Sequence, residues 1–237
     1  MPIFQLPNEI VFPPVHLAHE SGILAVGGDL TPERLLAAYR EGIFPWYSPE
    51  DPILWWSPDP RFVLYPAEIR IARTMRQVLR RNIFTVTFDR AFRDVVAGCR
   101  TPRKTQAGTW ITDEMLEAYC LLHERGYAHS VEAWREGALA GGLYGVSLGG
   151  MFFGESMFAR ESNASKAALV TLAEALGENG FDMIDCQVYT GHLESLGARE
   201  IPRTEFMTIL RSSLERVTLR GNWGELSEFS RARDSEG

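Results

Sequence analysis

Cysteine is scarce in this chain of 237 residues, and the three present, Cys99, Cys120 and Cys186, stand in no C-x-x-C or Cys/His ligand spacing. A disulfide framework and a zinc site are therefore not expected, and the thiols are read as reduced and buried. No apolar run reaches the roughly 20 residues that span a bilayer, and no charged segment followed by an apolar core opens the chain. The expected compartment is the cytoplasm, with no membrane partner. Basic charge is also in short supply: the net charge of -7 argues against indiscriminate binding of nucleic acid, although not against a local patch. Gly27-Gly28-Asp29 lacks the spacing and the lysine of a phosphate loop and is expected to be a turn. His123 and His129 fall on different elements, so neither a metal pair nor a nucleophile pair follows and no metal is expected. Internal repeats and low-complexity tracts are absent.

What is present centres on residues 148–187, which read as strand, turn, helix, strand. Met151-Phe152-Phe153-Gly154-Glu155-Ser156-Met157-Phe158 has the aromatic, apolar composition of a buried strand, with a carboxylate in its middle. Residues 164–176 carry Ala168, Leu169, Leu172, Ala175 and Leu176 at helical period. The next strand runs through Met183-Ile184-Asp185-Cys186-Gln187, and two strands joined by such a helix make a right-handed parallel crossover. Residues two apart on a strand share a face, so Asp185 and Gln187 are expected as neighbours. A carboxylate and an amide buried in an apolar sheet need hydrogen-bond partners or cost several kcal/mol. They serve either chemistry or a polar network that fixes strand register.

Elsewhere, Thr31-Pro32-Glu33 is a helix start with Thr31 as N-cap. Trp46, Trp55 and Trp56 lie among Pro45, Pro49, Pro52, Pro58 and Pro60, a pattern that predicts rings displayed by a stiff loop. Such rings suit stacking on nucleobases or a peptide, or plug a junction. Residues 67–81 predict a helix with Ile71, Met75, Val78 and Leu79 on one side and Arg70, Arg73, Arg76, Arg80 and Arg81 on the other. In an acidic protein that arginine face favours contact with a phosphate backbone over simple solvation.

Antiparallel meandering strands followed by one helical crossover form the order of a GNAT-type N-acyltransferase sheet, so the expected fold is α+β with a mixed sheet. Coenzyme A binding in that fold uses a glycine-rich turn before the central helix. Here Arg160-Glu161-Ser162-Asn163-Ala164-Ser165-Lys166 contains no glycine, which disfavours an acyl-CoA donor; no cofactor is expected.

Gly22-Ile23-Leu24-Ala25-Val26-Gly27-Gly28-Asp29-Leu30, Gly42-Ile43-Phe44-Pro45-Trp46-Tyr47-Ser48-Pro49, Leu54-Trp55-Trp56-Ser57-Pro58-Asp59-Pro60-Arg61, Gly108-Thr109-Trp110-Ile111-Thr112, Gly154-Glu155-Ser156-Met157-Phe158 and Ile184-Asp185-Cys186-Gln187 resemble blocks of the bacterial leucyl/phenylalanyl-tRNA-protein transferases. The resemblance covers nearly the whole chain. It implies transfer of Leu, Phe or, less well, Met from aminoacyl-tRNA to proteins beginning with Arg or Lys, marking them for N-end-rule degradation. It also implies a small N-terminal α/β domain, residues 1–62, joined to a GNAT-like catalytic domain, residues 63–237. By motif position, Asp185 and Gln187 look like the pair that helps deprotonate the attacking amine, and Glu155 the residue that holds the acceptor. A reaction in which the substrate shuttles its own proton would leave these groups an orienting role. Leu143, Met151, Phe152, Phe153 and Met157 are the expected pocket for the transferred side chain. Trp46 and Trp110, with Tyr39 close by, are expected near the terminal adenosine, and Arg73, Arg76 and Arg80 on the tRNA body. An acetyltransferase and a non-catalytic RNA-binding module remain the other classes.

Overall fold

The computed structural model describes residues 3–100 and 111–226. Two sheets form among them. The smaller has the order β1-β2-β4-β3 and is built from Phe4–Gln5 (β1), Ile23–Val26 (β2), Phe44–Pro45 (β3) and Leu54–Trp56 (β4). The larger contains Arg61–Leu64 (β5), Thr85–Phe88 (β6), Ala128–Arg135 (β7), Ala138–Leu148 (β8), Met151–Ala159 (β9), Met183–Gln187 (β10) and Arg199–Ile201 (β11), in the order β11-β5-β10-β9-β8-β7-β6. The helices are Pro32–Arg40 (α1), Arg73–Arg80 (α2), Phe92–Arg100 (α3), Asp113–Glu124 (α4), Ala164–Glu178 (α5), Gly191–Glu194 (α6) and Arg203–Ser213 (α7). The fold is thus α+β with mixed sheets.

Strands β6 to β9 meander antiparallel, and α5 then carries the chain to β10, parallel to β9. Alternation along the large sheet sorts its apolar side chains into two cores. Tyr144, Val146, Met151 and Phe153 face α1, α3, α4 and α7, while Leu143, Phe152 and Ile184 face α5. Each large side chain removed from water contributes about 1.5–3 kcal/mol, so the parity of β8 and β9 decides which helix each residue can anchor.

Helix starts follow the sequence at Thr31, whose Oγ1 accepts from the Arg34 N–H, and at Thr112, whose Oγ1 accepts from the Met115 N–H. Two expectations change. The arginine helix begins only at Arg73, because Pro66–Glu68 makes a 3₁₀ turn and the Arg70 N–H donates to the Leu196 carbonyl instead of to a helical acceptor. The tryptophan stretch is not all loop. The proline-free segment Leu54–Trp56 pairs with both β2 and β3, and Trp55 is fully buried, its Nε1 donating to the Gly27 carbonyl at 2.8 Å.

Candidate active site

Strands β9 and β10 are paired from Met151 with Met183 to Phe153 with Asp185, and then part. Two irregularities accompany the split. On β9, Gly154 faces Gly145 and Ser156 faces Tyr144, so Glu155 is an extra residue against β8. On β10, Cys186 is extra between Asp185 and Gln187 against β5, and Gln187 takes a left-handed backbone with φ of 65°. Bulges of this kind turn side chains out of the ladder and end pairing. The parted strands open a cavity of about 720 Å³ that Glu155 and Gln187 both line.

Its floor is apolar. Leu143 is directly opposite Met157, and Phe152, Ile184, Leu169 and Leu172 line the same side, with Ser156, Ser165 and Thr190 among the polar residues elsewhere in the lining. Met151 and Phe153, expected in the same pocket, are not part of it: both point to the opposite face and are buried in the other core. Consecutive strand residues alternate faces, and the bulge at Glu155 lets Phe152 and Met157, five apart, share the cavity face.

Glu155 is hydrogen-bonded to Tyr39 Oη at 2.7 Å and to Tyr119 Oη at 2.7 Å, and it accepts from Gln187 Nε2 at 2.9 Å. Desolvation pushes its carboxyl up to about 7, the negative charge of Asp185 adding to the rise while the phenol hydrogen bonds oppose it. Asp185 is wholly buried and is engaged by Arg61 from β5, through Nε at 2.8 Å and Nη2 at 2.6 Å. The Arg61 guanidinium lies between the Phe44 and Phe206 rings, 4.8 and 4.6 Å from their centroids. Asp185 Oδ1 also accepts the backbone N–H of Gln187 at 2.9 Å. The shared-face expectation for Asp185 and Gln187 does not hold, because the extra residue Cys186 sets them opposite adjacent residues of β5. They are joined instead by a relay of position, in which Arg61 holds Asp185, Asp185 holds the turned Gln187 backbone, and the Gln187 amide reaches Glu155. Asp185 itself does not line the cavity. Cys186 does, but burial pushes its thiol up, so it is not poised as a nucleophile.

At the cavity rim Trp46 is 38% exposed and packs on Trp56, with ring centroids 5.4 Å apart. Tyr39, expected beside a nucleoside, is fully buried against Phe153 and spends its hydroxyl on Glu155 and Tyr119, so no face is free for stacking. Trp110 lies outside the described residues. Arg73, Arg76 and Arg80, with Gln77, line a shallow groove of about 470 Å³ on the exposed side of α2, away from the buried Met75. They have no acidic partner among the described residues. Before α5, Asn163 adopts a left-handed conformation, φ 73°, of the kind a glycine often supplies.

Sequence reasoning missed Arg61 and Tyr119. The signal for Arg61 was the buried carboxylate itself, which demands a cation, and an arginine opening the apolar strand Arg61-Phe62-Val63-Leu64 is a natural donor. Tyr119 sits on the apolar side of α4, where a phenol needs a polar partner. Among the described residues no group of three or more His, Cys, Asp and Glu side chains could hold a metal, and no described helix is long and apolar enough to cross a membrane.

Comparison with known proteins places residues 63–211 on the family model described as leucyl/phenylalanyl-tRNA protein transferase, and residues 28–59 on that described as its N-terminal domain. The leucyl/phenylalanyl-tRNA--protein transferase of Syntrophus aciditrophicus (strain SB) is 66% identical over 224 residues, 94% of each chain. The protein of the same name from Myxococcus xanthus (strain DK1622) is 57% identical over 228 residues, 95% of this chain and 97% of its own. Among solved structures, L-PGS from Bacillus licheniformis is 12% identical with a TM-score of 0.39, over 84% of this chain and 66% of that one, a likeness too distant to argue from.

Proposed function

This chain belongs to the leucyl/phenylalanyl-tRNA protein transferase family, and from that membership we propose that it moves Leu, Phe or, less well, Met from aminoacyl-tRNA to the α-amine of proteins beginning with Arg or Lys. The product would be marked for N-end-rule degradation, with the reaction in the cytoplasm. The observation that carries the reading is the apolar cavity at the split of β9 and β10, closed by one carboxyl and one carboxamide. We divide the chain into a small N-terminal domain, residues 1–62, and a GNAT-like catalytic domain, residues 63–237, in which this split is where donor and acceptor meet.

Leu143, Phe152 and Met157 receive the Leu or Phe side chain of the donor, whose ester carbon then lies near Gln187. Trp46 and Trp110 stack on the terminal adenosine, while Arg73, Arg76 and Arg80 hold phosphates of the tRNA body. The ester is already activated, so the protein's task is orientation and stabilisation of developing charge. The amine nitrogen bonds to the carbonyl carbon, the carbon–oxygen bond to the ribose breaks, and the amine proton passes to the departing ribose oxygen. Gln187 polarises the reacting groups, Glu155 hydrogen-bonds the acceptor amine, and Asp185 with Arg61 keeps Gln187 in place. Asp185 paired this closely with Arg61 favours an orienting role over that of a base, and so favours a proton shuttled by the substrate.

Incubation of the purified chain with radiolabelled Phe-tRNA and a casein-like acceptor beginning with Arg tests the reading. Label is expected in the Arg-starting acceptor and not in an Asp-starting one. Equal labelling of both, or transfer from acetyl-coenzyme A instead, would overturn it.

A further inference from the structure

Three oxygen-bearing side chains from three elements close a triangle beside the cavity. Tyr39 Oη of α1 is 2.7 Å from Glu155 Oε1, Tyr119 Oη of α4 is 2.7 Å from Glu155 Oε2, and the two phenol oxygens are 2.6 Å apart. Each contact has the length of an O–H···O hydrogen bond and so requires a hydrogen of its own. The two phenols bring two. If both donate to an ionised Glu155, their own oxygens meet lone pair to lone pair at 2.6 Å. If one donates to the other, one side of the carboxylate loses its donor. No rotation of the hydroxyls satisfies all three contacts, and both phenols are fully buried, where an unmade hydrogen bond is most costly. The missing hydrogen belongs on the carboxyl.

We propose that Glu155 is a neutral carboxylic acid in the resting site, and that Tyr39 and Tyr119 are positioning residues that keep it so in a closed ring of three hydrogens. The direction of the ring follows from Gln187. Its Nε2 donates to Oε1 at 2.9 Å, which marks Oε1 as the carbonyl oxygen and leaves the proton on Oε2. Oε2–H donates to Tyr119, Tyr119 to Tyr39, and Tyr39 back to Oε1. The surroundings agree. Glu155 is faced by Tyr39, Tyr119 and Tyr144, by Gln187, and by Asp185, whose charge is matched by Arg61; among the described residues no Lys, Arg or His bonds to it. Desolvation pushes the carboxyl up to about 7 from an ordinary 4.5, and Asp185 works in the same direction.

The proposal rests on the cavity being the acyl-transfer centre, and it sharpens what Glu155 does there. A neutral acid beside a carboxamide is no counter-charge for a cationic acceptor. It hydrogen-bonds the uncharged amine, the form whose lone pair can attack, so Glu155 selects the protonation state of the acceptor and not its basic side chain.

Infrared difference spectra of the full chain, taken between about pH 5.5 and about pH 8.5, bracket the value of about 7. A protonated-carboxyl band is expected at the lower pH, lost at the higher and missing from Glu155→Gln. Spectra of wild type and Glu155→Gln that are identical across this range would overturn the proposal.

Stability against pH is a second readout. A folded-state value raised above the unfolded one means stability is full below about 4.5 and is lost as pH rises through about 7. The wild type minus Glu155→Gln difference should fall across that window, because the carboxamide, with one donor and one acceptor side, closes the same ring at every pH. Tyr119→Phe opens the ring and should shift the midpoint of the carboxyl band while Glu155 stays in place. A wild-type difference that rises with pH, or a midpoint that Tyr119→Phe leaves unmoved, would reject the ring. Neither readout depends on transfer, so a failed transfer assay and a failed ring are told apart.

Discussion

At the split between β9 and β10, Arg61 and Asp185 lie fully buried 2.6 Å apart, whereas on α2 Arg73, Arg76 and Arg80 stand exposed with no acidic partner among the described residues. The same guanidinium group does opposite work in the two places. Inside, water cannot screen it, so it fixes one carboxylate in one geometry, and losing either partner strands the other. Outside, it is solvated, and its charge acts on an opposite charge over a Debye length of about 8–10 Å. The comparison teaches that charge near the cavity sets geometry, while charge on the helix is left exposed to solvent, where the proposed function would use it for tRNA affinity.

The buried half of this contrast should break hardest. Arg61→Met leaves Asp185 unpaired in the core, and a cost of about 3–5 kcal/mol is expected in urea melts, together with a drop in single-turnover rate of roughly 10²-fold as Gln187 loses its support. Adding Asp185→Leu should return most of the stability and none of the rate. If the double variant also regains its rate, the pair serves packing alone.

Pocket residues give a smaller effect that depends on the face they occupy. Met157→Ala removes volume opposite Leu143 and should raise the kcat/KM ratio for Phe over Leu donors by roughly tenfold. Phe153→Leu, a few residues away but on the opposite face, should cost about 1–2 kcal/mol in stability and leave that ratio alone. Donor preference that moves with Phe153 and not with Met157 would contradict the observed parity of β9.

Smallest in stability terms is the exposed face. Arg76→Gln with Arg80→Gln is expected to change stability by no more than about 0.5 kcal/mol. It should lower the slope of log affinity for tRNA against log salt by about one to two units. Turnover of a minimal aminoacyl-adenosine donor, too short to reach α2, should stay near wild type; equal loss with both donors would make the helix structural.

Much of this was legible from residue order. The strand, helix and strand through residues 151–187 form as their periodicities require, and the caps at Thr31 and Thr112 accept the N–H groups expected of them. Glu155 and Gln187 stood out because polar groups in apolar strands are costly, and the structure brings them to one cavity. Errors arose where a rule of local order met an irregularity. Simple alternation already divides Met151 and Phe153 from Phe152, a division the expected pocket ignored, but it would group Met157 with Phe153, because it cannot foresee an extra residue at Glu155. The expectation of Tyr39 close to the terminal adenosine comes from the family resemblance and from no local rule; its burial depends on β9 and α4, far away in sequence.

By itself, then, the sequence determined most of the elements, the antiparallel meander into β9, the parallel crossover to β10 and which polar groups would need partners, because periodicity, capping and desolvation act over a few residues. The places of β5 and β11 beside β10 and the order of the small sheet came only with the fold. Only the tertiary structure decided which partners those are. Arg61 reaches Asp185 across 124 positions, Tyr39 reaches Glu155 across 116 and Tyr119 reaches it across 36. A buried polar atom requires some donor or acceptor, but which one arrives depends on how β5, α1 and α4 pack against the split, and that packing is a property of the whole sheet and its two cores.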